Sequence, residues 1–372
     1  MAAVPSNDNT RYVLKNSLGI TYCIWYKNGL YMSMLENDSH WGPPFLLSEN
    51  ATADFSALID SDDSICTTFV DYSGRLLHIT ACEERKDPVV LLESRISGSS
   101  PYEVNLVEAG GTAHIFYIVS HNRKQLLTYQ RIEKNGYSMP EVEGVITRDA
   151  KSYSAASDGS AVHLFFVTDV QNVNLLVHRK INADGKAQKP NTTPFPYNVN
   201  MKLQSVVSDT GAIFILASGE DSTACFRFDP ILNRFSKALE VFSTTTGPGM
   251  DSLLLINNSP YAIRTLKNGF VLTRIKNDNS SLGEETRIDF TGRDIPLNCR
   301  YLSNAREDKI LVTYTVPILF GNGLKFPFDF KSLSAQRYEK LEDDRELFRE
   351  RIRELENRIE YLENSIREML RP

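Results

Sequence analysis

Gly111-Thr112-Ala113-His114-Ile115-Phe116 and Gly159-Ser160-Ala161-Val162-His163-Leu164-Phe165 repeat one pattern: a glycine, a small hydroxyl residue, then an apolar run carrying a histidine. A glycine turn that opens into alternating β-branched and aromatic residues marks the second strand of a hairpin. The polar turn in front of such a strand recurs seven times, at Asn16, Asp60, Glu108, Asp158, Asp209, Asn258 and Asn304, with spacings of 44, 48, 50, 51, 49 and 46 residues. Each turn is followed by a β-rich run, as in Ile20 to Tyr26, Ile65 to Val70, Ala212 to Ala217 and Ile310 to Val316. A period of this length accommodates four short strands and their loops, and a fixed period of 40–50 residues points to a repeat architecture.

Third strands follow in most units, among them Leu30 to Met34, Leu76 to Ile79, Leu126 to Tyr129, Leu175 to His178 and Val271 to Arg274. Then a further rhyme appears. Ser39-His40-Trp41-Gly42, Asn135-Gly136-Tyr137-Ser138 and Asn233-Arg234-Phe235-Ser236 each set an aromatic and then a small residue just after a turn.

Four-stranded units of this period, with almost no helix signal before residue 331, are expected of an all-β propeller over residues 11–330, where radial repetition leaves only short protected edges. The chain resembles the propeller class, and its aromatic-after-turn pattern resembles lectin and sialidase-type propellers. It has no Trp-Asp dipeptide, kelch double glycine or Asp box, so the resemblance implies a fold and not an activity. Seven units predict seven blades. A six-bladed ring with one irregular unit and a two-sheet sandwich are the alternatives, because prolines interrupt the seventh unit between Pro317 and Phe328.

Residues 331–372 read differently. Leu341, Phe348, Leu355, Leu362 and Met369 recur every seventh position, and Tyr338, Arg345, Ile352, Ile359 and Ile366 stand three residues ahead of them. Steps of three and four predict a coiled-coil helix, about 48 Å long at 1.5 Å per residue. In a parallel arrangement Asp344 faces Arg349, Arg351 faces Glu356 and Arg358 faces Glu363, all attractive; the antiparallel register brings Arg351 near Arg358. Parallel self-association through 338–369 is therefore expected. Ile and Leu at the seam favour a dimer, and two Arg-apolar-x-x-apolar-Glu segments favour a trimer.

The chain carries 41 Lys and Arg against 47 Asp and Glu, a formal charge of −6, with no basic cluster in the head. Binding to nucleic acid through phosphate neutralisation is not expected. No stretch of about 18 apolar residues predicts a membrane span, and the N-terminus lacks a signal-peptide pattern. With five widely spaced cysteines (Cys23, Cys66, Cys82, Cys225, Cys299), a cytoplasmic protein is the expectation; a phage or spore component is a further option.

Three sets of residues are candidates for function. Trp41, Tyr137 and Phe235 can stack on a sugar ring or anchor a protein partner, or can fill gaps between blades. Asp60, Glu108, Asp158 and Asp209 can ring one channel mouth and hold a cation, or can simply cap their turns. His114 and His163 occupy matching positions on separate sheets, which reads as structural and not as a metal pair. No cofactor and no metal are expected. The leading expectation is a non-catalytic head that binds a glycan or protein surface and is multiplied by its stalk. A hydrolase or lyase working in the channel, or a purely structural particle subunit, are the other readings.

Overall fold

A computed structural model describes residues 11–36, 40–81, 87–93, 100–133, 136–147, 153–198, 200–219, 222–243, 251–256, 258–266, 269–289, 295–296, 299–305, 318–320 and 323–325. The stalk, with Leu341, Phe348, Ile352, Leu355, Ile359, Leu362, Ile366 and Met369, lies outside the described residues. Among the described residues no helix is long and apolar enough to cross a membrane.

Consecutive antiparallel strands build each sheet. Blade 1 comprises Arg11–Lys15, Thr21–Tyr26, Leu30–Glu36 and Phe45–Ser48, and blade 2 Ala51–Ile59, Ile65–Asp71, Arg75–Ala81 and Val89–Glu93. Blade 3 runs Tyr102–Ala109, Thr112–His121, Lys124–Glu133 and Glu141–Ile146; blade 4 runs Tyr153–Ser157, Ala161–Val170, Val173–Asn182 and Asn191–Pro194. Blade 5 is Lys202–Val207, Ile213–Ser218, Ser222–Asp229 and Leu239–Ser243, and blade 6 is Asp251–Ile256, Ser259–Leu266, Gly269–Ile275 and Leu282–Asp289. From blade 1 through to blade 6, the first strand of each blade packs against the first strand of the next. The chain is thus a β-propeller, as its period predicts.

Local chemistry sets the register. Gly110-Gly111, Asn122-Arg123 and Gln171-Asn172 each have positive φ at both residues, the two-residue turn whose twist matches that of the flanking strands. Tyrosines and phenylalanines then fill the seams between blades. Leu14, Ile24, Phe55 and Phe69 join blades 1 and 2; Leu106 and Tyr117 join 2 and 3; Phe116, Phe165, Phe226 and Phe228 join 3, 4 and 5; Phe214, Leu255 and Ile275 join 5 and 6. Each such side chain contributes roughly 1.5–3 kcal/mol by leaving water. Cys23, Cys66, Cys225 and Cys299 are buried thiols, and burial pushes the Cys23 thiol up to about 11.

The expected blade count of seven is corrected to six. Cys299–Ser303, the first strand of the seventh unit, does not open a blade among the described residues; it pairs in parallel with Arg11–Lys15, with Val13 opposite Tyr301. The reason is the free inner edge of blade 1, whose N–H and C=O groups need partners when covered. Cys299 and Tyr301 bury themselves against Val13 and Cys23 in doing so. The expected second strand, Ile310 to Val316, lies outside the described residues. Ile295–Pro296, Ile318–Phe320 and Gly323–Lys325 form a small separate sheet.

Close packing yields a first prediction. A Cβ on Gly269 would stand 2.3 Å from the Ile288 carbonyl oxygen and 3.0 Å from Asp289 Cα, both backbone atoms of the paired strand. Gly269→Ala is expected to lower stability by about 1–3 kcal/mol, as overpacking does. At Gly111 no atom lies within 4 Å of the added carbon, and only its positive φ opposes substitution, so Gly111→Ala should cost about 1 kcal/mol. Urea midpoints of the two variants compare them directly; a Gly269 variant no weaker than the Gly111 variant refutes the packing argument.

Candidate functional site

The three rhyming aromatics occupy one structural position. His40–Trp41, Gly136–Tyr137 and Arg234–Phe235 are two-residue strands that extend the third strand of blades 1, 3 and 5, pairing Leu35 with Trp41, Ile132 with Tyr137 and Phe228 with Phe235. The small residue that follows turns its N–H back onto the same strand: Gly42 to the Met34 carbonyl at 2.8 Å, Ser138 to Arg131 at 2.9 Å and Ser236 to Arg227 at 2.7 Å. In blades 3 and 5 the serine hydroxyl also accepts the N–H of that same arginine, at 2.8 and 3.1 Å. A Cβ on Gly42 would meet Glu36 Oε1 at 2.6 Å, and Ser138 and Ser236 use their hydroxyls, which favours a small residue after the aromatic.

All three aromatics are half-buried, and Tyr137 and Phe235 lie over seams between blades. Tyr137 meets His78 of blade 2 edge-on, with ring centres 6.1 Å apart. Phe235 lies edge-on to Phe165 of blade 4 at 6.4 Å and to Phe228 of its own blade at 5.0 Å. Trp41 packs with Trp25 against the cluster of Val13, Cys23, Cys299 and Tyr301. Tyr137 and Phe235 therefore each fill a gap between blades with one part and remain partly exposed with another, whereas Trp41 packs against blade 1 and its closing strand.

The carboxylates of Asp60, Glu108 and Asp158 are committed to backbone. Asp60 Oδ1 accepts the N–H groups of Asp62 and Ser64 at 3.0 and 2.7 Å. Glu108 Oε1 accepts Ser61 N–H from blade 2 at 3.2 Å. Asp158 Oδ1 accepts from Ser160 and Ala161, and its Oδ2 lies 3.0 Å from His163 Nε2 and 3.5 Å from Lys180 Nζ. Burial would raise the Asp158 carboxyl, but the hydrogen bonds from His163, Ser160 and Ala161 outweigh it and hold the group well below the usual range. Asp209 is exposed, and its N–H donates to Asn258 Oδ1 at 2.7 Å. Further bonds, from Ser17 N–H to Asp63 and from Gly110 N–H to the Gly159 carbonyl, tie turns of neighbouring blades together.

Next to these turns is a cavity of about 220 Å³, walled by the inner strands and by the closing strand, with Leu58, Leu106, Val206 and Leu302 as apolar lining and Glu108 and Asn304 at its polar side. Of the four candidate carboxylates only Glu108 lines it. Among the described residues no group of three His, Cys, Asp or Glu side chains is placed to hold a metal ion.

His114 and His163 are fully buried and do not meet. His114 Nδ1 is 2.8 Å from the Tyr129 hydroxyl, whereas His163 bridges Asp158 and His178, its Nδ1 lying 2.9 Å from His178 Nε2. Burial pushes His114 down to about 4 and His178 down to about 3. Burial lowers His163 too, against the opposing pull of Asp158.

One set of residues escaped the sequence reading. Asp54, Glu103, Tyr153, Lys202, Asp251 and Arg300 recur at steps of 49 or 50 residues, at or near the start of successive inner strands and thus at the end away from the turns. The signal was available: the same period that located the turns also carries these charges. Asp251 is taken up by Arg264 within blade 6; Asp54, Glu103, Lys202 and Arg300 interact with one another's charges.

No family model and no curated protein sequence matches this chain. Among solved structures, a mutant of Aleuria aurantia lectin in complex with Fucα1-6GlcNAc overlaps 77% of this chain and 98% of its own at 7% identity and a TM-score of 0.49. AofleA from Arthrobotrys oligospora overlaps 80% and 91% at 9% identity and 0.45. Virginiamycin B lyase from Staphylococcus aureus overlaps 76% and 88% at 12% identity and 0.41. At such identities these likenesses say nothing of a ligand or an activity here.

Proposed function

We propose that this protein is a non-catalytic binding module whose propeller recognises a glycan or protein surface through Trp41, Tyr137 and Phe235, and which is multiplied by parallel self-association through residues 338–369. The observation that carries the reading is the shared local geometry of the three aromatics. One two-residue strand, on three blades, presents a half-buried ring, anchored in a seam on blades 3 and 5 and against the closing strand on blade 1. Repeated weak sites on one head suit an extended or repetitive ligand, and several heads on one stalk raise avidity by about 10²–10⁴ without any new contact.

Screening the full chain on a glycan array, beside Trp41→Ala, Tyr137→Ala and Phe235→Ala, tests the head. Each substitution is expected to weaken binding by roughly three- to tenfold, the share of one stacked aromatic. Binding that all three variants leave unchanged places the site elsewhere. The stalk is tested by Ile359→Asp, which sets an unpaired carboxylate in one apolar layer of every chain. Light scattering should then give the 42.0 kDa single-chain mass in place of two or three times that value, with array signals falling by about two orders of magnitude. An unchanged mass removes the avidity argument.

A further inference from the structure

We propose that the cavity beside the turns is a binding site for a small primary amine, which places an apolar body between the inner strands and its ammonium group at the rim formed by Glu108 and Asn304. The void of about 220 Å³ has a cause in the sequence. Blades 2, 3 and 5 bring Leu58-Ile59, Leu106-Val107 and Val206-Val207 to its wall, whereas blade 4 brings Ala155-Ala156-Ser157. Protein interiors hold few voids larger than a water molecule. Here the short side chains of one blade leave a space that the longer ones of its neighbours do not fill.

The polar rim is built around a single peptide group. Glu108 Oε1 accepts the Ser61 N–H at 3.2 Å, and Asn304 Nδ2 donates to the Asp60 carbonyl at 2.5 Å. That N–H and that carbonyl belong to the same peptide, so the carboxylate and the amide flank it no more than about 8 Å apart. Asn304 is fixed further by its N–H to the Lys15 carbonyl and by Nδ2 to Asp63 Oδ1, both at 2.8 Å. Both hydrogens of its side-chain amide are thereby used, and only Oδ1 remains to accept. Glu108 Oε2 likewise has no hydrogen-bond or ion-pair partner among the described residues. Folding has already ordered these two acceptors, and a ligand need not.

Charge and size then select the ligand class. Among the described residues that line the cavity Glu108 alone is charged, and no Lys, Arg or His is present to balance an anion. A hard metal ion would want six or more oxygens, and the walls are mostly apolar. An ammonium group donates hydrogen bonds and accepts none, which matches a rim that offers acceptors. An apolar cavity of about 150 Å³ holds benzene, so this larger one takes a six-membered ring with a short arm.

Calorimetry on the full chain at about pH 7 provides the test, with 2-phenylethylamine, 2-phenylethanol, 3-phenylpropanoate and ethylamine as probes. The first three share one body and differ in their polar head; the fourth has the amine without the ring. One 2-phenylethylamine per chain is expected, with the alcohol and ethylamine at least tenfold weaker and the carboxylate not bound. Glu108→Gln keeps an oxygen for the Ser61 N–H but removes the charge, and Ala156→Leu fills the void; each should weaken the amine at least tenfold. Trp41→Ala, Tyr137→Ala and Phe235→Ala should bind it as the parent does, which separates this site from the aromatic surface. No saturable binding of the amine, equal binding of the alcohol, folded Glu108 and Ala156 variants that bind like the parent, or loss of binding in a folded aromatic variant would each overturn the assignment. The comparison of probes decides it even where a variant fails to fold.

Discussion

Between pH 7 and pH 5 the propeller is expected to lose about 2 kcal/mol of stability for each of His78, His114 and His178. All three are buried, and burial holds them at about 4, about 4 and about 3 against an ordinary value of 6.5. The unfolded chain therefore takes up protons first. Their contribution is fully present above about pH 6.5 and is lost as pH falls towards the folded values. Glu103 works in the opposite sense, since its folded carboxyl titrates about 7 and above the ordinary 4.5; its share grows as pH falls from 7, but its side chain reaches water and offsets only part of the loss. Against the roughly 5–15 kcal/mol typical of a domain, acid unfolding near pH 5 is the expected outcome. Urea midpoints at several pH values check it, because the slope of stability against pH counts the protons taken up on unfolding. A midpoint that does not move between pH 7 and pH 5 contradicts the burial of neutral histidines.

Arg264→Met is expected to cost about 3–5 kcal/mol, the price of a buried carboxylate left without its cation. Arg264 meets Asp251 through Nε to Oδ1 and Nη2 to Oδ2, both at 2.8 Å, and its guanidinium lies 4.2 Å from the centre of the Phe242 ring. Asp251 is 6% exposed and also accepts the Thr223 hydroxyl from blade 5, while its carbonyl takes the Gln204 side chain. The pair thus ties blade 6 to blade 5. Replacing both partners, Asp251→Leu with Arg264→Met, should recover much of the loss, since no buried charge then remains. A double variant as unstable as the single one would show that the residues matter for their shape and not for their charge.

The repeat was legible because hairpin chemistry is local. Asn16, Asp60 and Asp158 announce turns by side-chain bonds to their own backbone, and alternation such as that from Ala161 to Val167 announces a strand. What period could not announce was the partner of Cys299–Ser303. A strand signal says where the chain is extended, and the edge it joins is decided by which neighbour still has unpaired N–H and C=O groups. For this reason the seventh unit looked like a seventh blade.

The aromatic rhyme of Trp41, Tyr137 and Phe235 was equally legible, as it depends on a short pairing with the end of the strand just before it. The place of Tyr137 and Phe235 over the seams was not, because the facing residues, His78 for Tyr137 and Phe165 for Phe235, lie on other blades. Glu103 was invisible for a third reason. Its left-handed backbone is imposed by Asp54 and Tyr153, residues about 50 positions away on either side, and nothing in its own neighbourhood asks for it.

The parallel pairing of Tyr12 with Arg300 across 288 residues also sets a timetable for the growing chain. At roughly 5–20 residues per second, translation leaves about 15–60 s between the emergence of these two partners. Throughout that interval the first blade presents a bare strand edge to every other nascent copy, and such an edge is a template for intermolecular pairing. The yield of soluble protein in a cell is therefore governed by elongation speed and chaperone supply as well as by the stability of the finished ring.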